Sequence, residues 1–222
     1  MDPAALAALH RRVRACRKCV AAGYLEGARP IVAGRATDRV MIVGQAPGAV
    51  ELEAGRPFAG RSGGVLRDWL ARAGIDDEHL PYRTAITKCY PGKHPSGAGD
   101  RRPSPAEIAL CAPWLDAELT LVRPRVLLLL GRLAIDRFWG SASLEDAVGR
   151  VRREERRVLI PLPHPSGASR WLNEPAHRAL LDRALSLVAR EVRSLAKDGP
   201  RSRTAPAPPD AGRRRRARPR AR

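Results

Sequence analysis

Aromatic residues make up only 4% of this 222-residue chain, with two Phe and three Tyr. No run of eighteen apolar residues occurs anywhere, which argues against a helical membrane span. Carboxylates are scarce beside cations: 23 Asp and Glu face 41 Lys and Arg, a formal net charge of +18. Cysteine is scarce too, at four residues. The N-terminus opens on Asp2-Pro3, without the basic and then apolar pattern of a secretory signal, so a disulfide framework is not expected. A monomeric cytoplasmic (nucleoid-associated) protein that binds no membrane is the expectation.

The surplus of positive charge is unevenly spread. Residues 197–222 hold ten basic and two acidic residues, a net +8, which leaves +10 on the rest. Pro, Ala, Gly and Arg dominate that tail, so 197–222 is expected to be a disordered basic tail behind a domain at 1–196. A basic body with a basic arm suits a polyanion, most often nucleic acid.

Four apolar runs bounded by Gly, Pro or charge read as buried strands: VMIVG at 40–44, TAITK at 84–88, VLLLLG at 126–131 and VLIPLP at 158–163. Helical patterns separate them. One runs from Ser62 to Ala73, with Val65, Leu66, Trp69 and Leu70 on one face. A second starts at Ser104-Pro105-Ala106-Glu107, a capping box, and ends at Arg123-Pro124. A third spans Glu174 to Leu195, with Leu180, Leu181, Leu185 and Val188 facing inward. A short helix capped by Asp2 leads to Cys16. The alternation predicts an α/β fold, a three-layer domain with a central four-stranded parallel sheet. Ligands of such sheets bind beyond the carboxyl ends of the strands, where GQAPG, KCYPG and HPSGAS lie.

Cys16 and Cys19 form CRKC; Cys89 and Cys111 flank one long loop. Four thiolates suit tetrahedral zinc or an iron–sulfur cluster, and spacing does not choose between them. The tetrapeptide His-Pro-Ser-Gly occurs twice, from His94 and from His164, and only the second directly follows a predicted strand.

The segments GQAPGAVELEAGRPFAGRSG at 44–63, TAITKCYPG at 84–92, CAPWL at 111–115, RPRVLLLLGRLA at 123–134 and HPSGAS at 164–169 together resemble the uracil-DNA glycosylase superfamily. The likeness is greatest to its iron–sulfur branches, families four and five, and covers roughly residues 10–190. It implies hydrolytic removal of uracil from DNA, the first step of base excision repair, and a [4Fe-4S] cluster on Cys16, Cys19, Cys89 and Cys111. His164 matches the imidazole that stabilises charge growing on uracil O2, and Phe58 the ring on which the flipped base stacks. Gly44, Ala46 and Gly48 line the base and the attacking water, with Ala85 and Ser166 at the substrate. Ser62 and Ser169 are candidates for binding phosphates, and Arg170 for reaching the strand backbone or filling the gap that the base leaves.

Three departures accompany the resemblance. Family four usually has an acidic residue where Gln45 stands, and family five an aspartate where Arg61 stands. Gln45 can orient water but is no general base, which leaves Glu51 and Glu53 as the nearest carboxylates. Ala85 stands where family four has an asparagine reading the uracil edge, so hypoxanthine or xanthine could be accepted as well. The 21 residues between Cys89 and Cys111 exceed the usual loop. A related branch that traps uracil-DNA covalently has a histidine in this loop; the matching position is Asp100, while His94 lies six residues earlier. The alternative function is a damage-binding protein with little turnover; a nucleic-acid-binding zinc module is a weaker one.

Overall fold

The computed structural model describes residues 2–76, 80–97, 99–166 and 170–197. Its centre is a five-stranded sheet in the order β2-β1-β3-β5-β4, built from β1 (Val40–Gly44), β2 (Tyr82–Ala85), β3 (Val126–Leu130), β4 (Arg152–Arg153) and β5 (Val158–Leu162). The four longer strands are parallel, and β4 pairs antiparallel with β5 at one edge. The expected four-stranded sheet therefore gains a fifth, two-residue strand. Arg152 and Arg153 carry no apolar pattern that would reveal it, because an edge pair needs only backbone partners. The second predicted strand also shifts, from 84–88 to Tyr82–Ala85. Beyond Ala85 the chain still donates from Ile86 to Gly44 and from Thr87 to Gln45, but it turns out of the sheet toward Cys89.

Helices α1 (Pro3–Arg14), α2 (Lys18–Ala21), α3 (Ala49–Ala54), α4 (Arg61–Arg72), α5 (Pro105–Val122), α6 (Arg132–Phe138), α7 (Leu144–Ala147) and α8 (Pro175–Lys197) complete the described fold, with a 3-10 turn at Arg170–Asn173. All five residues of β3 are buried, because helices cover both faces. Alternation along the strand sends Leu127 and Leu129 to one side, where they meet Leu6, Leu9, Val13, Leu115 and Ile135 of α1, α5 and α6. Val126, Leu128 and Leu130 face the other side, against Leu66, Trp69, Leu181, Leu185 and Val188 of α4 and α8.

The helix signals are where the sequence placed them. The Asp2 carboxylate accepts from Ala4 and Ala5 at the start of α1. Ser104 and Glu107 form the reciprocal capping box of α5. Arg123, barred from the helical region by Pro124, adopts φ 50° and ends that helix. Lys197, counted with the tail, is instead the last residue of α8; residues 198–222 lie outside the described residues.

Successive connections place β2 on one side of β1 and β3 on the other. The chain direction through the sheet thus reverses between β1 and β3, and a crevice opens beyond the ends of those strands. Gly44 ends β1, Gly131 follows β3, and His164 comes two residues after β5.

Candidate active site

A cleft of about 520 Å³ at this end of the sheet is lined by Gln45, Ala46, Gly48, Glu51, Phe58, Ser62, Ala85, His164 and Ser166. These come from the end of β2, the loops after β1 and β5, α3, the segment between α3 and α4, and the first turn of α4. Most of the sequence-predicted residues are therefore brought together. Gly44 contributes by contact: a Cβ on it would lie 3.3 Å from Phe58 Cζ, so the ring rests on bare backbone. Arg170 is exposed and does not line the cleft, and Ser169 lies outside the described residues.

Phe58 is held in an unusual backbone state. Its φ of 53° is left-handed, which costs a non-glycine residue roughly 1–2 kcal/mol. Gly63, in the first turn of α4, packs so closely that a Cβ there would stand 1.9 Å from the Phe58 carbonyl oxygen. The strain persists because helix, loop and ring are fixed together.

His164 packs against Gly131, where an added Cβ would sit 3.1 Å from His164 Cβ and 3.2 Å from Cδ2. Burial pushes the His164 imidazole below its usual range, so the ring is neutral near pH 7. The chain beyond His164 is anchored where Trp171 stacks on His177 at 4.2 Å and donates its indole N–H to Glu145.

Glu51 lines the cleft but has its oxygens engaged. Oε2 accepts from Gly48 N–H at 3.0 Å, and Oε1 accepts from Ala59 N–H at 2.8 Å and Gly60 N–H at 3.0 Å. It ties the loop after β1 to the start of α4. Glu53 is exposed and does not line the cleft.

Sequence reasoning missed part of the lining. Asp100 and Arg101 enter from the long loop, joined by Ile31, Thr84 and Pro91. The loop is a small hairpin: Lys93 bridges Asp100, His94 N–H donates to Gly99, and Arg101 N–H donates to Gly92. His94 is exposed on it, away from the cleft lining, and its imidazole contacts Ser96. The Arg101 guanidinium grips Glu107 with bonds of 2.7 and 2.8 Å, which holds that carboxyl down at about 2. The only signal for this arrangement in the sequence was the match of Asp100 to a nucleophile position.

On the other side of Thr87 and Lys88, all four cysteines line one pocket with Leu25, Leu110 and Trp114. All four are free thiols, and among the described residues no three His, Cys, Asp or Glu stand close enough to hold a metal as they are. The donor chemistry fits a thiolate-bound group. Lys88 N–H donates to Cys111 Sγ and Trp114 Nε1–H to Cys16 Sγ, each at 3.3 Å. Burial, helped by the other three thiols, pushes Cys89 up to about 12, so loading a metal would release protons.

Between cleft and thiol pocket lies a buried polar chain. Lys88 Nζ donates to Glu118 Oε2 at 2.9 Å and to Ala85 O at 2.7 Å, and Thr84 Oγ1 donates to the same carboxylate oxygen at 2.7 Å. Tyr82 beside them meets His10 Nε2 at 2.7 Å.

The model of the uracil DNA glycosylase superfamily matches residues 32–186. A type-4 uracil-DNA glycosylase of Thermotoga maritima is 30% identical over 81% of this chain and 93% of its own length. Another from Pyrobaculum aerophilum is 36% identical over 64% of the chain and 65% of its length, so the match spans just under two thirds of that relative. A type-5 uracil-DNA glycosylase of Thermus thermophilus is 36% identical over 61% of the chain and 64% of its length.

Proposed function

Because the chain belongs to the uracil-DNA glycosylase superfamily, we propose that its cleft hydrolyses the N-glycosidic bond of uracil in DNA, the opening step of base excision repair. The observation that carries this reading is the meeting of a neutral, half-buried His164 with the Phe58 ring and the glycine-rich loop after β1 in one cleft. Cleavage makes an oxocarbenium-like sugar and a uracil anion. A flipped base stacks on Phe58, and His164 N–H donates to uracil O2 as its charge grows. Gln45 orients the water, Ala46 and Gly48 let the backbone approach, and Ser62 and Ser166 hold the strand. Ala85 offers the base no side-chain hydrogen bond, which supports acceptance of hypoxanthine or xanthine.

The same reading assigns a [4Fe-4S] cluster to Cys16, Cys19, Cys89 and Cys111, whose thiols share one pocket. Bound there, the cluster would tie the α1–α2 segment, the chain after β2 and α5 into one unit. The charge of +18 suits DNA as partner. Among the described residues no helix is long and apolar enough to cross a membrane; a monomer acting at the nucleoid in the cytoplasm completes the reading.

The test is cleavage of a labelled uracil-containing oligonucleotide, single- and double-stranded, after alkali treatment. Alkali-dependent strand breaks that disappear in His164→Ala are expected. Tight binding without breaks would favour a damage sensor, in keeping with Gln45 and Arg61 at positions where the family resemblance implies acids.

A further inference from the structure

Among the described residues, two carboxylates line the cleft, Glu51 and Asp100. Hydrolysis needs a group to take a proton from the attacking water, and an amide at Gln45 does not. Glu51 is committed to three backbone N–H groups through both its oxygens, and protonating it would weaken the brace that joins the loop to α4. His164 is already used as a donor toward the base. Asp100 differs from all of these. Its Oδ1 accepts from the Tyr90 hydroxyl at 3.0 Å, while Oδ2 has no donor among the described residues. That free oxygen lies against the loop after β1: a Cβ on Gly48 would stand 2.9 Å from it and 2.8 Å from Glu51 Oε2. A side chain at residue 48 would displace the Asp100 carboxylate from the loop, and glycine lets it approach.

We propose that Asp100 is the general base of this glycosylase, supplying from the hairpin what the loop after β1 lacks. The assignment rests on the glycosylase reading above. Water oxygen bonds to C1′ of the deoxyribose as the C1′–N1 bond breaks and its electron pair moves onto uracil, held at O2 by His164. One water proton passes to Asp100 Oδ2, leaving a hydroxyl at C1′. Asp100 then returns the proton to solvent, and the uracil anion takes one up from solvent. The hairpin fixes the backbone that carries the carboxylate: residues 93 and 100 pair through a backbone β-bridge, and the neighbouring Arg101 is clamped to Glu107 of the helix that carries Cys111.

The experiment uses the full chain and a uracil oligonucleotide under single-turnover conditions, with DNA affinity measured in parallel. Asp100→Asn should lose about 10²–10⁴-fold in rate, the usual worth of a positioned base, while affinity stays within about threefold. Sodium formate should restore part of the rate to Asp100→Ala and none to His164→Ala, which a merely structural carboxylate would not produce. Tyr90→Phe, which keeps the carboxylate, should retain most of the rate. Asp100→Asn turning over within about threefold of wild type would overturn the assignment. So would a rate loss matched by weakened DNA binding without formate rescue, or formate rescue confined to Glu51→Ala. Wild-type protein that releases no uracil would sink the glycosylase reading itself, an outcome distinct from an active wild type with an equally active Asp100→Asn.

Discussion

Gly131 and His164 are in direct contact across the ends of β3 and β5, so close that a Cβ at residue 131 would press on the imidazole by a few tenths of an ångström. Gly131 also has φ 76°, a conformation other residues resist. Gly131→Ala therefore strains the turn and pushes the imidazole out of place together. Displacements of about 1 Å at a reacting centre cost on the order of 100-fold. The shift here is a few tenths of an ångström, so the expected result is uracil release slowed by up to about 10-fold with DNA affinity little changed. A single-turnover assay beside a binding titration checks it; unaltered release would mean that Gly131 does not position His164.

His164→Ala should slow release by about 10²–10³-fold, the cost of one hydrogen bond aimed at developing charge. The same residue also links stability to pH. Its folded value is depressed by burial, so the unfolded chain takes up the proton first as pH falls through about 6.5. Stability contributed by the neutral ring is thus full above that pH and declines below it. His164→Asn cannot titrate, so its unfolding midpoint should fall less between pH 7 and pH 5 than that of wild type. Parallel thermal melts at the two pH values measure the difference.

Much of this site was legible because its parts have local signatures. β1, β3 and β5 are apolar runs closed by Gly or Pro, and His164 and Gln45 follow such strands by one or two residues. The cap of α5 is written in four consecutive letters. Asp100 had no such signature, since its place depends on a hairpin bridge and on an arginine clamped to a helix. Glu51 looked like a spare carboxylate until folding supplied three N–H donors from residues up to nine positions away. The edge strand β4 is two arginines, whose pairing answers to backbone geometry and not to a hydrophobic period.

Lys88 and Glu118 form an ion pair with side chains 1% and 0% exposed. Such a pair adds little net stability, but losing one partner strands the other charge in the interior at a cost of about 3–5 kcal/mol. Lys88→Met should therefore destabilise strongly in urea unfolding. Lys88→Met combined with Glu118→Leu should recover much of that stability, because no buried charge then remains. A double variant as unstable as the single one would show that the network of Thr84 and Ala85, and not the charge, carries the energy.

Phe58 and Gly63 separate the demands of function from those of folding. Gly63→Ala drives a methyl into the Phe58 carbonyl at 1.9 Å, with backbone and not a flexible side chain as the obstacle. It should destabilise the fold by about 2 kcal/mol or more. Phe58→Gly acts in the opposite direction on the backbone, since glycine accepts φ 53° freely. Relief of that strain offsets part of the apolar burial that the half-buried ring provides, so stability should change by about 1 kcal/mol or less. Uracil handling should suffer far more, because stacking of a base on an aromatic ring contributes about 1–3 kcal/mol, a change of roughly 5- to 150-fold. Urea unfolding and single-turnover release, measured on both variants, distinguish the two roles. If Phe58→Gly were destabilised as heavily as Gly63→Ala and released uracil at the wild-type rate, the ring would be core and not the platform for the flipped base.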